Sequence, residues 1–567
     1  MRDRFCPVLY PDFVCCKAPF SFYRFIERYW PGNEENRTLH RTFSLMRKMN
    51  VRSVAVEDLA RKGELEAEAA AVEARCQGPV EFLAWRFSFF AVPITQDTLA
   101  YAGDADCLGY AILVSLKLPQ GSFCRYIYES VIVEPSFHGD GHPHVGIGLP
   151  SHYVHCLRRY STWVAGRRFT VLGSFFCQQN GVTHVCAHAA IRWVLNNLPE
   201  RTDQILSYED INRDLGIDHV TRKVGQCGDD AQPVGLPLDD LLKVVRLRNY
   251  RYVRAEYESP RGTPQPYWRF VYSIIESGYP VLVFFQTEHA RHVICVIGHT
   301  FNSDIWDGEA RLAYSRASRA EYISTASWAD HFIIHDDNYG MYFCMPSKAL
   351  LPPGDEHQPF QVTGAMGIVP DNVDLGPLEA ESLASMVLRL TLTVDTLHDC
   401  YWLKALREEE NAVGKWVVLR TFLASKAIYQ QHLRSIEDLD GEAMKEDELT
   451  SILQSYTPDH FWMIEITLAD VYTANKRKLG EILFRLSDPR ILREDSLEIF
   501  TKKLFSACIA IRLPGNIITP TVGQKRVLLN IRATTLAQEQ ANTARHGAWR
   551  RRWCMSAYSP CLRRSAA

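Results

Sequence analysis

The segment from Gln178 to Trp193, Gln-Gln-Asn-Gly-Val-Thr-His-Val-Cys-Ala-His-Ala-Ala-Ile-Arg-Trp, constrains this chain more than any other. It sets Cys186 at the first turn of a strongly predicted helix, Cys186 to Asn197, with the side-chain amides of Gln178 and Gln179 a few residues upstream. Ala190, Ile191, Val194 and Leu195 draw an apolar stripe along that helix, and Leu198-Pro199 ends it. A helix of this kind has to be packed on a layer. Its N-terminus offers unpaired backbone N–H groups and the positive end of the helix dipole to the residue standing there.

Three strand-like runs follow. Pro280-Val-Leu-Val-Phe284 is the first, and His292-Val-Ile-Cys-Val-Ile-Gly298, opened by a histidine, is the second. Phe332-Ile-Ile334 is the third and runs into His335-Asp336-Asp337. A thiol attacks a carbonyl as thiolate, and a free cysteine has a pKa of ~8.5, so a nucleophilic cysteine needs help. A helix N-terminus gives part of it and a histidine that takes the proton gives the rest. Cys186 has the first by position, and His292 on a central strand supplies the second. Asp336 is then placed to orient the imidazole, and Gln178 or Gln179 to donate, with the Cys186 N–H, to a developing oxyanion. His289 and His299 are the rivals of His292, and Asp337 is the rival of Asp336, because strand ends are hard to place to within one residue.

This ordered set resembles the papain-like cysteine peptidases, and within them the bacteriocin-processing (double-glycine leader) type and its relatives. The resemblance covers roughly residues 170 to 345. Besides the pieces above it rests on Gly-Leu-Pro-Leu-Asp-Asp-Leu-Leu (235 to 242), Ser-Gly-Tyr-Pro-Val-Leu-Val (277 to 283) and Asp336-Asp-Asn-Tyr-Gly340. It implies an α+β fold whose nucleophile helix packs on an antiparallel sheet. It also implies Cys186 as nucleophile, His292 as base, Asp336 as orienting acid and one of Gln178/Gln179 as oxyanion donor. In the family the glutamine usually stands six residues before the nucleophile, whereas here the gap is seven or eight.

At 567 residues the chain is expected to hold several domains. An α/β region is expected over 1–165, the peptidase-like region over 166–370 and a mixed or mostly helical region over 371–544. A basic tail over 545–567, with six arginines and no acid, reads as solvated and disordered. In the first region Val56 to Arg75 reads as an exposed helix, and Glu81 to Val92, Leu108 to Leu118 and Tyr126 to Val133 read as strands. The position of this region before the nucleophile makes it a candidate zymogen-like element whose removal would raise activity.

A net charge of −3 argues for no nucleic-acid partner, and no apolar run reaches the ~18–20 residues of a membrane span. Sixteen scattered cysteines without a secretion signal favour reduced thiols and a cytoplasmic setting. With no CxxC pair and no glycine-rich nucleotide signature, no zinc ribbon and no cofactor is expected. Gln226-Cys227-Gly228 reads as a loop, with Asp229 and Asp230 repelling a thiolate. His184 and His188 flank Cys186 at i±2 and point apart on a helix. His138, His142 and His144, with His152 and His155 beyond, crowd one loop without cysteine or spaced carboxylate other than Asp140, and no metal is assigned to them. The function expected is a cysteine hydrolase acting on a protein or peptide, with oligomeric state open. Acyl transfer of the transglutaminase or arylamine acetyltransferase kind and a blunted binding module are the alternatives.

Overall fold

The computed structural model describes residues 11–16, 27, 37–59, 63–135, 151–199, 205–219, 222–227, 235–258, 265–288, 290–301, 322–350, 360–394, 417–434, 445–454, 458–468, 480–486, 491, 496–513, 516–523 and 527–533. The chain is mixed α+β with antiparallel sheets, as its patterning implies. Strands are numbered in chain order.

The first sheet takes β1 (Asp12–Cys15), β2 (Ser53–Asp58), β3 (Glu81–Phe90), β4 (Cys107–Lys117) and β5 (Phe123–Val133). β6 (Ser151–Val154) leaves it, and β7 (Arg158–Val164) and β8 (Arg167–Phe176) return, in the order β1-β2-β3-β4-β5-β8-β7. Its consecutive strands β2–β3, β3–β4 and β4–β5 pair antiparallel, with the helices Arg37–Lys48 and Glu64–Cys76 set between the first strands, so the sheet is antiparallel and the region combines it with helices. The expected boundary at 165/166 falls in the β7–β8 hairpin, so the first sheet runs on to Phe176. Nor is Val56–Arg75 one exposed helix. Alternating β-branched Val54 and Val56 put Ser53–Asp58 in the sheet, and the helix starts only at Glu64 and buries Leu65, Glu68, Ala69 and Val72.

The second sheet is built from β9 (Tyr250–Glu256), β10 (Val281–Gln286), β11 (Arg291–Phe301), β13 (His331–Asp336), β14 (Gly340–Pro346) and β15 (Gln361–Pro370). Its order is β14-β13-β11-β10-β15-β9. β10 covers β11 only as far as Val296, and beyond it β6 takes the same strand from Gly298 to Phe301. Gly298 permits this: a Cβ there would stand 2.2 Å from the Tyr153 carbonyl oxygen. The third sheet begins with β12 (Ile323–Ser324), parallel to β16 (Val417–Ser425), and continues antiparallel through β17 (His460–Leu468), β18 (Gly480–Phe484), β19 (Cys508–Leu513), β20 (Asn516–Val522) and β21 (Val527–Ala533).

The helix Cys186–Asn197 lies where the first two sheets meet, against β8 and β11. The expected stripe is only part of its packing, because Ala187 through Asn197 are all buried. Its polar residues survive there by pairing. Arg192 donates to Glu129 (3.1 Å) and to the carbonyls of Tyr128 (2.6 Å) and Leu206 (2.8 Å), and Asn197 Nδ2 donates to the Phe175 carbonyl (2.9 Å). One continuous apolar core runs from the first sheet through the second into the third. Among the described residues no helix is long and apolar enough to cross a membrane. The basic tail, the histidines at 138, 142 and 144, and His289 lie outside the described residues.

Candidate active site

Cys186 is the first residue of its helix, half-buried, with Val185 as an extended N-cap (φ −118°, ψ 175°). The Val185 side chain makes no cap hydrogen bond, and the His188 N–H donates to the Val185 carbonyl (2.8 Å). His188 folds back instead, its Nδ1 accepting the Val185 N–H (3.2 Å) while Nε2 meets Asn212 Oδ1 (3.1 Å). Burial, with His184 nearby, pushes His188 down to about 3, so it stays neutral and serves as a bracket.

The turn before the helix is held by residues that local sequence reasoning missed. Asn180 Oδ1 accepts the N–H groups of Val182, Thr183 and His184 (2.8, 2.9 and 3.2 Å). The Asn-Gly pair at 180–181 was the available signal for such a turn. His184 Nδ1 accepts the Asn180 N–H (3.0 Å), which leaves the proton on Nε2, 2.8 Å from Glu68 Oε1. The same oxygen accepts from Asn180 Nδ2 (2.9 Å) and Tyr126 Oη (2.5 Å). Burial alone would raise Glu68, but its interaction with His184, joined by the Tyr126 hydrogen bond and the Arg192 charge, outweighs it and holds the carboxyl below its usual range. The His184 ring stacks on Tyr208 at 3.6 Å, and the Tyr208 hydroxyl donates to the Gln178 carbonyl (2.7 Å). Nothing near Glu68 in the sequence announces this, since it sits in an Ala/Glu-rich helix 116 residues upstream of its partner.

His292, near the start of β11, faces the β13–β14 hairpin. Its Nε2 lies 3.2 Å from Asp336 Oδ2 and 3.5 Å from Asp337 Oδ1. Asp336 Oδ1 accepts the backbone N–H groups of Asn338 (2.7 Å) and Tyr339 (3.2 Å), which fixes the carboxylate. The Cys186 thiol is within hydrogen-bonding reach of the ring. Burial would lower the His292 pKa, but hydrogen bonds to Asp336 and Cys186 and the charges of Asp337 and Asp336 raise it to about 10. The ring is therefore an imidazolium at neutral pH. Asp337 is almost fully buried, and burial pushes it up to about 6 against the pull of His292. Its oxygens have no hydrogen bond of regular geometry, lying near His292 and the Gln179 amide.

The two glutamines part company. Gln178 Nε2 donates to the Asp337 carbonyl (2.6 Å) and Thr38 Oγ1 (3.0 Å), and its Oε1 accepts the Ile127 N–H (3.0 Å). Those bonds consume its amide, so Gln178 is corrected from oxyanion donor to brace. Gln179, half-buried with its amide against Asp337, remains at the catalytic edge. The rival base His299 is buried against Glu276, seven residues further along β11, and does not meet the thiol. Cys227 lies beside Cys76.

Cys186 and His292 open onto a cleft of about 480 Å³. Leu236, Leu241, Phe284 and Met366 give it an apolar floor, and Arg254, Glu256, Glu258 and Arg291 give it a charged rim. The donor atoms of His292, Asp336 and Asp337 lie within 4.8 Å of one another. Comparison with protein-family models, with curated proteins and with solved structures gives no match to this chain.

Proposed function

We propose that the chain is a cysteine-dependent hydrolase, a peptidase acting on amide or isopeptide bonds in a protein or peptide, with a papain-like arrangement of its catalytic parts. The observation that carries this reading is one constellation: a thiol at a helix start, beside an imidazole whose pKa it helps to raise and whose Nε2 rests on a backbone-anchored carboxylate. In the reaction the Cys186 thiolate attacks the carbonyl carbon, and the Cys186 N–H with the Gln179 amide supports the oxyanion. His292 gives its proton to the leaving amine, leaving a thioester. Water, deprotonated by the now neutral His292, then attacks the thioester and frees the acid, and the thiol is restored. Asp336 keeps the ring turned toward the thiol throughout. The apolar floor beside the nucleophile suits a bulky aliphatic or aromatic side chain of the substrate.

The test is the pH dependence of iodoacetamide alkylation at Cys186, site-resolved by mass spectrometry, in wild type and His292→Ala. Alkylation that persists below neutral pH and collapses in the variant supports the ion pair. Equal, ordinary reactivity in both proteins would leave a binding module in its place. If the ion pair holds, a small amine added during peptide turnover separates hydrolysis from acyl transfer by the mass of the product.

A further inference from the structure

The second sheet carries another convergence of chemistry-bearing side chains, well away from the thiol. His299 lies seven residues past His292 on β11, about 23 Å along the strand at ~3.3 Å per residue. Its Nδ1 is 2.8 Å from the Thr300 carbonyl, which can only accept, so Nδ1 carries the proton and Nε2 presents a lone pair. Facing that lone pair are two further donor atoms: Glu276 Oε1 at 2.6 Å and His155 Nε2 at 3.4 Å. All three lie within 4.8 Å of one another. Two acceptors meeting at 2.6 Å call for something positive between them.

Arg420 does not fill that role. Its guanidinium binds the other carboxylate oxygen, Glu276 Oε2, at 2.7 and 2.6 Å, and reaches Glu465 on β17 at 2.7 Å. Glu276 is thus oriented from behind, with Oε1 turned to the histidines. Tyr272, one helical turn before Glu276, is 1% exposed; its ring lies 4.8 Å from that of His299, and its hydroxyl has no hydrogen-bond partner. An unpartnered buried phenol whose ring lies against the His299 imidazole is a second sign of a missing group.

We infer that His155, His299 and Glu276 form a binding site for a divalent transition-metal ion of the zinc class, which ties β6 and β11 to the helix Tyr267–Glu276. Two imidazole nitrogens disfavour calcium and magnesium, which take oxygen ligands, and suit zinc, copper or nickel. Around a tetrahedral ion with bonds of about 2.0–2.1 Å, neighbouring donors stand about 3.3 Å apart. The His155–His299 spacing already matches, and Glu276 Oε1 would swing away by under about 1 Å. The backbone carbonyl on His299 Nδ1 and the arginine behind Glu276 are outer-sphere partners that hold ligands in aim. The fourth position falls to water or to the Tyr272 phenol. Through Arg420 and Glu465 the ion would also brace the second sheet against the third, so its role is structural. The site exists because Gly298 lets β6 approach β11 closely enough to carry His155 to His299.

The experiment uses the full-length protein, stripped with chelator and titrated with Zn²⁺ against a chromophoric competitor, with Co²⁺ substitution in parallel. One equivalent of zinc should bind, raise the melting temperature, and give cobalt spectra without a thiolate charge-transfer band. His155→Ala, at a half-buried position, should weaken binding at least tenfold and abolish the thermal shift while leaving the far-UV circular dichroism unchanged. Glu276→Gln should do the same, and Cys186→Ser and His292→Ala should change neither. Absence of a bound equivalent, retention of it in His155→Ala, or its loss in His292→Ala or Cys186→Ser would overturn the assignment.

Discussion

Gln178 donates its side-chain amide to the backbone carbonyl of Asp337 at 2.6 Å, tying the strand that leads to Cys186 to the hairpin that carries Asp336. This bond holds Cys186 and Asp336 in one frame. The neighbouring Gln179 has its amide against the Asp337 carboxyl, and it is the one that the proposed reaction assigns to the oxyanion. Gln178→Ala should therefore lower stability by about 2–4 kcal/mol, because it orphans buried partners. Gln179→Ala should cut kcat about 10- to 100-fold with little thermal shift. Differential scanning calorimetry beside steady-state kinetics separates them, and a reversed pattern would exchange their roles.

The raised His292 pKa makes a signed prediction. The ring's folded value, about 10, lies above its ordinary 6.5. The ion-pair stabilisation is therefore complete below pH 6.5 and is lost as pH climbs toward 10. Wild type should exceed His292→Gln in stability by a margin on the order of a few kcal/mol in acid that shrinks across this window. Asp336→Asn should narrow the margin and slow acid-pH alkylation of Cys186 about 100-fold. Parallel denaturation curves at several pH values provide the check.

Asp337 has the opposite sign. Its carboxyl is raised to about 6, so keeping it ionised at neutral pH costs the folded state free energy that protonation returns. Asp337→Asn should stabilise the protein by about 1–3 kcal/mol at pH 7.5 and by much less near pH 4. Equal midpoints at pH 7.5 would show that the buried charge is compensated.

Glu68 and His184 form the buried pair behind the nucleophile turn, 2.8 Å apart. Glu68→Ala should cost about 3–5 kcal/mol, by leaving Asn180, Tyr126 and His184 without an acceptor. Since the Glu68 carboxyl is held low, its contribution is present at neutral pH and is lost as pH falls through that depressed value. A double-mutant cycle with His184→Ala should return a large coupling energy, and additivity would contradict the network.

Removal of residues 1 to 160 should abolish activity, against the zymogen-like expectation. Thr38 donates to the Asp337 carbonyl (3.1 Å), Arg41 to those of Met341 and Tyr342, and Glu129 pairs with Arg192 on the nucleophile helix. Truncation strips the back of the site along with the first sheet. A soluble truncated chain with raised turnover would restore the inhibitory reading.

Elements with strong local periodicity were legible from residue order alone. The helix Cys186–Asn197 begins and ends where its alanines and Leu198-Pro199 place it, and β10, β11 and β13 lie where their apolar runs indicated. Local chemistry also pointed to Cys186 and His292, which line one cleft, and to Asp336, which meets His292, because a helix start and two strand ends are readable in one dimension. Sequence could not decide between Gln178 and Gln179, since that depends on a hydrogen bond to a carbonyl 159 residues away. Nor could it join Glu68 to His184, or His155 to Glu276 and His299. Those pairings arise only when the first sheet packs on the Cys186 helix and β6 crosses to β11, because contacts between distant segments carry no periodicity in the chain that makes them.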